Sequence, residues 1–201
     1  MIGVLLSRHN PCKRRTSSIH ANALPESRLD CLVNKTSVLG LRVVEYDDSL
    51  AAEFRDINLE WISAMFRVEP VDLEVLEHPR ERIIDAGGAI LFVATEELGI
   101  VGACALMPAH PVGAFELTKM GVRESARGLK AGEFLLRAVI RRAMSLRANP
   151  LFLLTNEVCE AAVHLYEKLG FRHDQAIMDF YGAEYERCNV AMRYRPGAVV
   201  S

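Results

Sequence analysis

The sequence lacks three features that would assign it at once to a common class: a long apolar run, an excess of one charge and a paired-cysteine motif. Its 24 Lys and Arg residues nearly balance its 26 Asp and Glu residues, which gives a formal net charge of −2. This balance argues against the broad basic surface of a nucleic-acid binder or of a protein bound to an anionic membrane. Any binding site for an anion must therefore be local.

Secretory signals, membrane helices and zinc sites are not predicted either. The apolar start at residues 1–6 gives way to SRHNPCKRR, so it is shorter than the roughly 7 to 15 residues of a signal's apolar core. Elsewhere no segment approaches the ~20 apolar residues of a membrane helix. The five cysteines are widely scattered, with no CxxC spacing, which is typical of reduced thiols. We expect a soluble, cytoplasmic protein without a metal.

The composition divides the 201 residues into three parts. Residues 1–38 are rich in Ser, Asn, Pro and basic residues, with six basic against two acidic side chains. We expect a flexible extension there, and a functional basic arm is the alternative. Residues 39–196 carry dense apolar patterns and are long enough to bury one core. Residues 197–201 are expected to be a short C-terminal tail.

Within residues 39–196, strand-like alternation changes repeatedly to helical spacing. The resulting order of elements predicts a mixed α/β fold, in which a sheet is layered with helices. The predicted elements are a strand at LGLRVVEY, helices over residues 50–65 and after Pro70, strands over 89–95, 100–106 and 115–122, a helix over 131–147, a strand at LFLLT, a helix over 160–169 and a last strand over 187–194.

The stretch SARGLKAGEFLL places Arg127, Gly128, Lys130 and Gly132 between a predicted strand and a predicted helix. The first N–H groups of a helix have no partner within the helix, and the helix dipole favours negative charge there. Small residues and two cations at this point are therefore typical of a diphosphate cradle. A plain glycine-bearing turn is the alternative. The Walker and dinucleotide loops are excluded, because the GxxxxGK[ST] and GxGxxG spacings are missing.

Three segments together resemble the GNAT superfamily of acyl-coenzyme A N-acyltransferases, over residues 39–194. They are FELTKMGV with RESARGLKAGEFLL, TNEVCEAAVHLYEKLGF, and WISAMF with GGAILFVATEELGIVGACAL. The resemblance implies a GNAT-like fold, with a central mixed, mostly antiparallel sheet flanked by helices. It also implies acetyl-coenzyme A as co-substrate. The cofactor-binding residues that it implies are Met120 and Val122 for the pantetheine arm and Arg127, Gly128, Leu129, Lys130, Ala131 and Gly132 for the pyrophosphate.

One position departs from the family pattern. Lys130 stands where the family usually has the middle glycine of its Q/R-x-x-G-x-G/A loop. Its N–H group and its charge could still serve an anion, or its Cβ could crowd the phosphate.

Candidate catalytic residues follow from the chemistry and from the resemblance. A lysine-like amine with a pKa near 10.4 must lose a proton before it attacks a thioester. Glu116 occupies the strand position of the family's base, and alternation predicts that it shares a face with Thr118 and Met120. Tyr166 matches the family's proton donor to the departing thiolate, and Asn156 is a candidate for the pantetheine amides. A structural glutamate and a core tyrosine are the alternatives.

The resemblance therefore predicts an N-acetyltransferase that transfers an acetyl group from acetyl-coenzyme A directly to a primary amine of a small molecule or a protein. A non-catalytic sensor of coenzyme A or acyl-coenzyme A is the alternative. The sequence names neither the acceptor nor the oligomeric state, so a homodimer stays open. No nucleic-acid or membrane partner is expected.

Overall fold

A computed structural model describes residues 40–197 of the chain. The extension predicted for residues 1–38, and all but the first residue of the predicted tail, lie outside the described residues. The strands are β1 (Arg42–Glu45), β2 (Ala89–Thr95), β3 (Gly99–Ala109), β4 (Ala114–Val122), β5 (Leu151–Thr155), β6 (Phe171–His173) and β7 (Val190–Tyr194). The α-helices are α1 (Ala51–Met65), α2 (Pro70–Glu77), α3 (Ala131–Ser145), α4 (Glu160–Lys168) and α5 (Gln175–Tyr181).

The seven strands form one sheet in the order β1-β2-β3-β4-β5-β7-β6. Every neighbouring pair is antiparallel except β4 and β5, which run parallel. The predicted mixed α/β fold with a mostly antiparallel sheet is thus confirmed. Among the described residues, no helix is both long enough and apolar enough to cross a membrane.

The parallel pair at the centre of the sheet is short. β4 pairs with β5 at two positions, Phe115 with Leu151 and Glu116 with Phe152. β4 then continues to Val122, while β5 pairs with β7 over the residues from Phe152 to Thr155. The two strands therefore separate after Glu116, and a gap opens between them toward the carboxyl end of β4.

Apolar side chains cover both faces of the sheet, because strand alternation places neighbouring residues on opposite faces. On one face, α3 packs Leu135, Leu136 and Val139 against β2, β3 and β4, in one cluster with Tyr166 of α4. On the other face, α1 and α2 bury Phe54, Ile57, Ile62, Val75 and Leu76 against β2 and β3. Helical spacing in α3 buries Leu135 and Val139 as expected, whereas in α1 Phe54 and Ile57 are buried but Met65, at the same spacing, is 48% exposed.

Several boundaries differ from the sequence prediction. β3 runs on to Ala109, through residues predicted as a loop, because the pairing with β4 continues to Ala114. β7 begins at Val190 instead of Arg187, and the residues before it line a cleft described below. β6 and α5 are two short elements that single-sequence periodicity does not signal.

Candidate active site

A β-bulge in β4 sets the geometry next to the central gap. Thr118 pairs with Ala105 and Gly121 with Ala103, so Lys119 and Met120 together face a single residue of β3. Lys119 has a φ of 50°, in the left-handed region, which is uncommon for a residue with a side chain. The extra residue breaks the strand's alternation at this point.

The bulge corrects one sequence prediction. Met120 packs with the core on the α3 and α4 side, where Leu117 also lies. By alternation, Glu116 and Thr118 point to the opposite face. The prediction that Glu116, Thr118 and Met120 share one face is therefore wrong, because it assumed a regular pleat.

The gap between β4 and β5 forms a cleft with a cavity volume of about 60 Å³. Met120, Asn156 and Tyr166 are the predicted site residues that line it. The other lining residues come from α1, β4, β5, the segments that follow α1 and β5, and the segment before β7: Trp61, Phe66, Leu117, Thr118, Lys119, Leu154, Thr155, Cys159, Tyr185, Arg187 and Cys188.

Tyr166 reaches the cleft from α4. Its hydroxyl lies 3.9 Å from the sulfur of Met120, and its ring packs edge-on against Phe171. Burial, followed by the neighbouring Cys104 and Cys159, raises the pKa of Tyr166 above that of a free tyrosine. The hydroxyl therefore keeps its proton over the physiological pH range and is available as a hydrogen-bond donor.

Glu116 lies at the closed end of the gap. Its side chain is only 2% exposed, and its backbone pairs with Met107 on one side and Phe152 on the other. Among the described residues it does not line the cleft. Two residues along a strand span ~7 Å, which is the step from Glu116 to Thr118, a residue that does line the cleft.

The predicted diphosphate cradle forms the entry into α3. Gly128 (φ 84°) and Lys130 (φ 56°) both adopt left-handed backbone conformations, and Lys130 is the N-cap of α3. The first helical bond of α3 runs from Phe134 N to Lys130 O at 3.0 Å. The N–H groups of residues 131–133 thus precede the first turn of hydrogen bonds, as at any helix start. Arg127 lies on the surface, where its side chain pairs with Glu124 at 2.6 Å.

Gly132 joins the cradle to the cleft. A Cβ on Gly132 would lie 3.7 Å from Leu165 and from Val122 and 3.9 Å from Met120. The start of α3 is therefore in close contact with the end of β4 and with α4. Since Met120 also contacts Tyr166, the cradle adjoins residues that line the cleft.

Asn156 follows β5 directly, and both ends of its amide are used within the protein. Its Nδ2 donates to the carbonyl of Arg187 at 2.6 Å, and its Oδ1 accepts from the N–H of Val158 at 3.0 Å. The side chain orders the loop into α4 and fixes the backbone of Arg187. Its role toward pantetheine stays a prediction.

A buried charge network that the sequence did not predict lies on the cleft wall opposite Tyr166. Asp72 of α2 accepts two hydrogen bonds from the Arg187 guanidinium, both at 2.8 Å, and one from the Lys119 ammonium at 2.9 Å. Arg187 also pairs with Glu69 at 2.8 Å, and Lys119 donates to the Tyr185 hydroxyl at 3.2 Å. The sequence feature that could have indicated this network is Lys119, a lysine among the apolar residues of β4.

Electrostatics of this network favour the ionised forms of Asp72 and Arg187. Burial raises the pKa of Asp72, but the hydrogen bonds from Arg187 and the charge of Lys119 outweigh it and lower that pKa to about 2. Burial lowers the pKa of Arg187, and its hydrogen bond to Asp72 reverses this, so the net shift is upward. Two cations thus face two carboxylates in a compact cluster.

Aromatic rings complete the same wall. Trp61 and Phe66 meet edge to face, with ring centroids 6.5 Å apart. The indole N–H of Trp61 donates to Asn58 at 3.0 Å, and the amide of Asn58 donates to the carbonyl of Phe54 at 2.9 Å. This chain of bonds fixes the Trp61 ring at the cleft.

Comparisons with known proteins agree on one family. Residues 87–173 match the model of the acetyltransferase (GNAT) domain. A curated protein of Schizosaccharomyces pombe, described as an uncharacterised N-acetyltransferase, is 33% identical over 84 residues, which are 41% of this chain and 52% of that protein. The match thus spans about half the length of the curated relative.

Solved structures share the fold at lower identity. A GNAT-family acetyltransferase of Staphylococcus aureus Mu50 aligns with a TM-score of 0.68 and 22% identity, over 77% of this chain and 98% of that one. An acetyltransferase of Streptococcus agalactiae aligns with a TM-score of 0.64 and 18% identity, over 78% and 98%. Similarity at this level shows a common fold.

Proposed function

We propose that this chain, whose residues 87–173 match the acetyltransferase (GNAT) domain, transfers an acetyl group from acetyl-coenzyme A directly to a primary amine of a small molecule or a protein. The observation that carries the proposal is the adjacency of three parts of the site. A helix start suited to a diphosphate, an open strand edge and a protonated tyrosine adjoin one another around Met120.

The cofactor-binding residues fit coenzyme A by their chemistry. The N–H groups at the start of α3 and the loop from Arg127 to Gly132 would hold the pyrophosphate, because helix starts bind anions. Nothing lies within 4 Å of a Cβ placed on Gly128, so this side of the loop is open to a ligand. The β4 edge that faces the gap, at Met120 and Val122, would hydrogen-bond the pantetheine amides. Bound acetyl-coenzyme A supplies the activated acyl group.

We assign the proton removal from the amine to Glu116, acting through an intervening group or water. The placement of Glu116 one pleat below the cleft favours this indirect route over direct contact. The orientation of a buried carboxylate is fixed by its surroundings, but a proton must reach it through an intervening group or a water molecule.

Tyr166 is proposed to hydrogen-bond the departing thiolate. An ordinary thiol has a pKa near 8.5, below the ordinary tyrosine value near 10, and burial raises the pKa of Tyr166 further. Complete proton transfer from Tyr166 to the thiolate is therefore unfavourable. Its contribution is to donate a hydrogen bond to the charge that develops on sulfur.

The test compares Tyr166→Phe with Tyr181→Phe, measuring acetyl transfer by thiol release and coenzyme A binding by calorimetry. Tyr181 is also buried, and its hydroxyl donates to the carbonyl of His110, outside the cleft. We expect Tyr166→Phe to lower kcat by roughly 10²-fold or more with coenzyme A binding retained, and Tyr181→Phe to leave kcat within a few-fold. Glu116→Gln should also lower kcat.

Two results would contradict the proposal. If coenzyme A binds but no amine in a panel of amino acids, polyamines, aminoglycosides and peptides is acetylated, the chain is a sensor. If coenzyme A does not bind, the cradle itself is misassigned.

A further inference from the structure

The cleft wall opposite Tyr166 has an unequal distribution of charge. Lys119 and Arg187 are the charged side chains among the described residues that line it. Their counter-ions do not line it: Asp72 is fully buried, and Glu69 contacts Arg187 from outside the lining set. The network is neutral as a whole. The Lys119 side chain is only 2% exposed, whereas that of Arg187 is 17% exposed, so Arg187 is the more accessible of the two lining cations.

Three aromatic rings stand beside these cations. Trp61, Phe66 and Tyr185 line the same wall, and the Arg187 guanidinium lies 5.7 Å from the Phe66 ring centre and 5.1 Å from that of Tyr185. The Lys119 ammonium lies 4.7 Å from the Tyr185 ring centre. The wall thus offers flat apolar surface together with cationic hydrogen-bond donors.

This lining discriminates among amines. A positive potential disfavours an ammonium group and lowers the pKa of an amine bound near it, which increases the share of the neutral, nucleophilic form. The same potential favours a carboxylate. A guanidinium has five N–H donors, and the hydrogen bonds of Arg187 to Asp72 and Glu69 use three of them, from Nη1 and Nη2.

We propose that the acceptor is a primary monoamine that carries a carboxylate and an aromatic or other apolar group, and that polyamines and aminoglycosides are rejected. The inference rests on the acetyl transfer proposed above and specifies its substrate class. The carboxylate meets Arg187, and the apolar group packs on Trp61 and Phe66. Two or more extra ammonium groups would meet no carboxylate among the described residues that line the cleft.

The test measures kcat/KM at pH 7.5 for L-phenylalanine, L-phenylalanine amide, L-alanine and spermidine. The neighbouring carboxylate raises the pKa of the free amino acid's amine relative to the amide, so the amide has more neutral amine and is favoured on reactivity alone. We expect phenylalanine to exceed its amide and alanine by at least about tenfold, and to exceed spermidine by more.

Variants locate the selectivity. Arg187→Lys keeps the charge but loses the planar fork, and we expect the ratio of phenylalanine to its amide to fall toward one. Phe66→Leu keeps an apolar side chain of similar size, and we expect it to reduce the ratio of phenylalanine to alanine and to leave the ratio to the amide unchanged. Both readouts are ratios within one variant, so partial loss of folded protein does not affect them.

The outcomes separate the two proposals. Preference for the amide or for spermidine overturns the substrate class and leaves acetyl transfer standing. An unchanged phenylalanine-to-amide ratio in Arg187→Lys also overturns it. If coenzyme A binds and none of the four amines nor the wider panel is acetylated, the proposed transfer fails, and the substrate class fails with it.

Discussion

Replacing Asp72 by Asn tests the buried charge network directly. Asp72 is the shared counter-ion of Lys119, whose side chain is 2% exposed, and of Arg187, whose side chain is 17% exposed. The substitution keeps the size and one acceptor oxygen but removes the charge. Lys119 is then left with the Tyr185 hydroxyl, and Arg187 with Glu69.

Two routes give the expected magnitude. Removing one partner of a buried ion pair costs ~3–5 kcal/mol, because the remaining charge stays desolvated. The shift in the pKa of Asp72, from 3.8 to about 2, corresponds to roughly 2 kcal/mol between its charged and neutral forms. The second figure is a lower bound, since it describes protonation with the network otherwise intact. We therefore expect a loss of ~2–5 kcal/mol in the free energy of unfolding.

The pH dependence has a defined sign. The pKa of Asp72 is lower in the folded state than its ordinary value of 3.8, so its contribution is complete above about pH 4. It is lost as the pH falls from about 4 to about 2, where the folded state also becomes protonated. The wild type should lose stability in this window, and Asp72→Asn should lack that part of the loss.

Urea unfolding provides the measurement, followed by the fluorescence of Trp61, the single tryptophan, whose ring lies on the same wall. Glu69→Gln is the matched control: Glu69 pairs with Arg187 but not with Lys119, so a cost of about 1 kcal/mol is expected. An Asp72→Asn variant within ~0.5 kcal/mol of the wild type, or no more destabilised than Glu69→Gln, refutes the reasoning.

Two backbone predictions follow from the glycine and lysine positions. A Cβ on Gly121 would lie 2.5 Å from the Trp61 ring, so Gly121→Ala should lower the free energy of unfolding by ~1–3 kcal/mol and raise KM for the amine. A Cβ on Gly132 has its nearest neighbours at 3.7 Å, so Gly132→Ala should leave the stability equal or higher by up to ~1 kcal/mol. Lys130 has a φ of 56°, a conformation that glycine adopts more easily, so Lys130→Gly should be neutral or stabilising by up to ~1 kcal/mol. Lys168 lies in the last turn of α4, where glycine is unfavourable, so Lys168→Gly should destabilise by ~1 kcal/mol. Thermal melts check both pairs, and a Gly121→Ala melt that matches the wild type, or equal effects of the two lysine variants, would contradict the packing argument.

Features with local causes were predicted well from the sequence. The stripe of Leu135, Val139 and Ala143 is buried, as helical spacing requires. The helix predicted over residues 160–169 ends at Lys168, and Gly170 after it has a φ of 102°, the left-handed conformation that glycine commonly adopts after a helix. The Gly128 turn before α3 was also predicted, since glycine placement reports on the backbone directly.

Features that depend on distant partners were not predicted. The bulge at Lys119 is an example, because lysine has no local preference for a positive φ. Lys119 contacts Asp72, 47 positions earlier in the chain, and Arg187 reaches Asp72 from 115 positions away. No periodicity connects such positions. For the same reason Glu116 could be assigned to a strand but not to the closed end of the gap.

The brevity of the β4–β5 pairing links ligand affinity to the integrity of the sheet. Four strands lie on one side of this seam and three on the other, and two residue pairs join them. A molecule that hydrogen-bonds to both edges acts as an eighth strand and restores the missing ladder. Binding of such a molecule to the folded state raises the free energy of unfolding by RT ln(1 + [L]/Kd), where [L] is its free concentration. A ligand that bridges the gap therefore also joins the two halves of the sheet, so its binding and the stability of the sheet are thermodynamically linked.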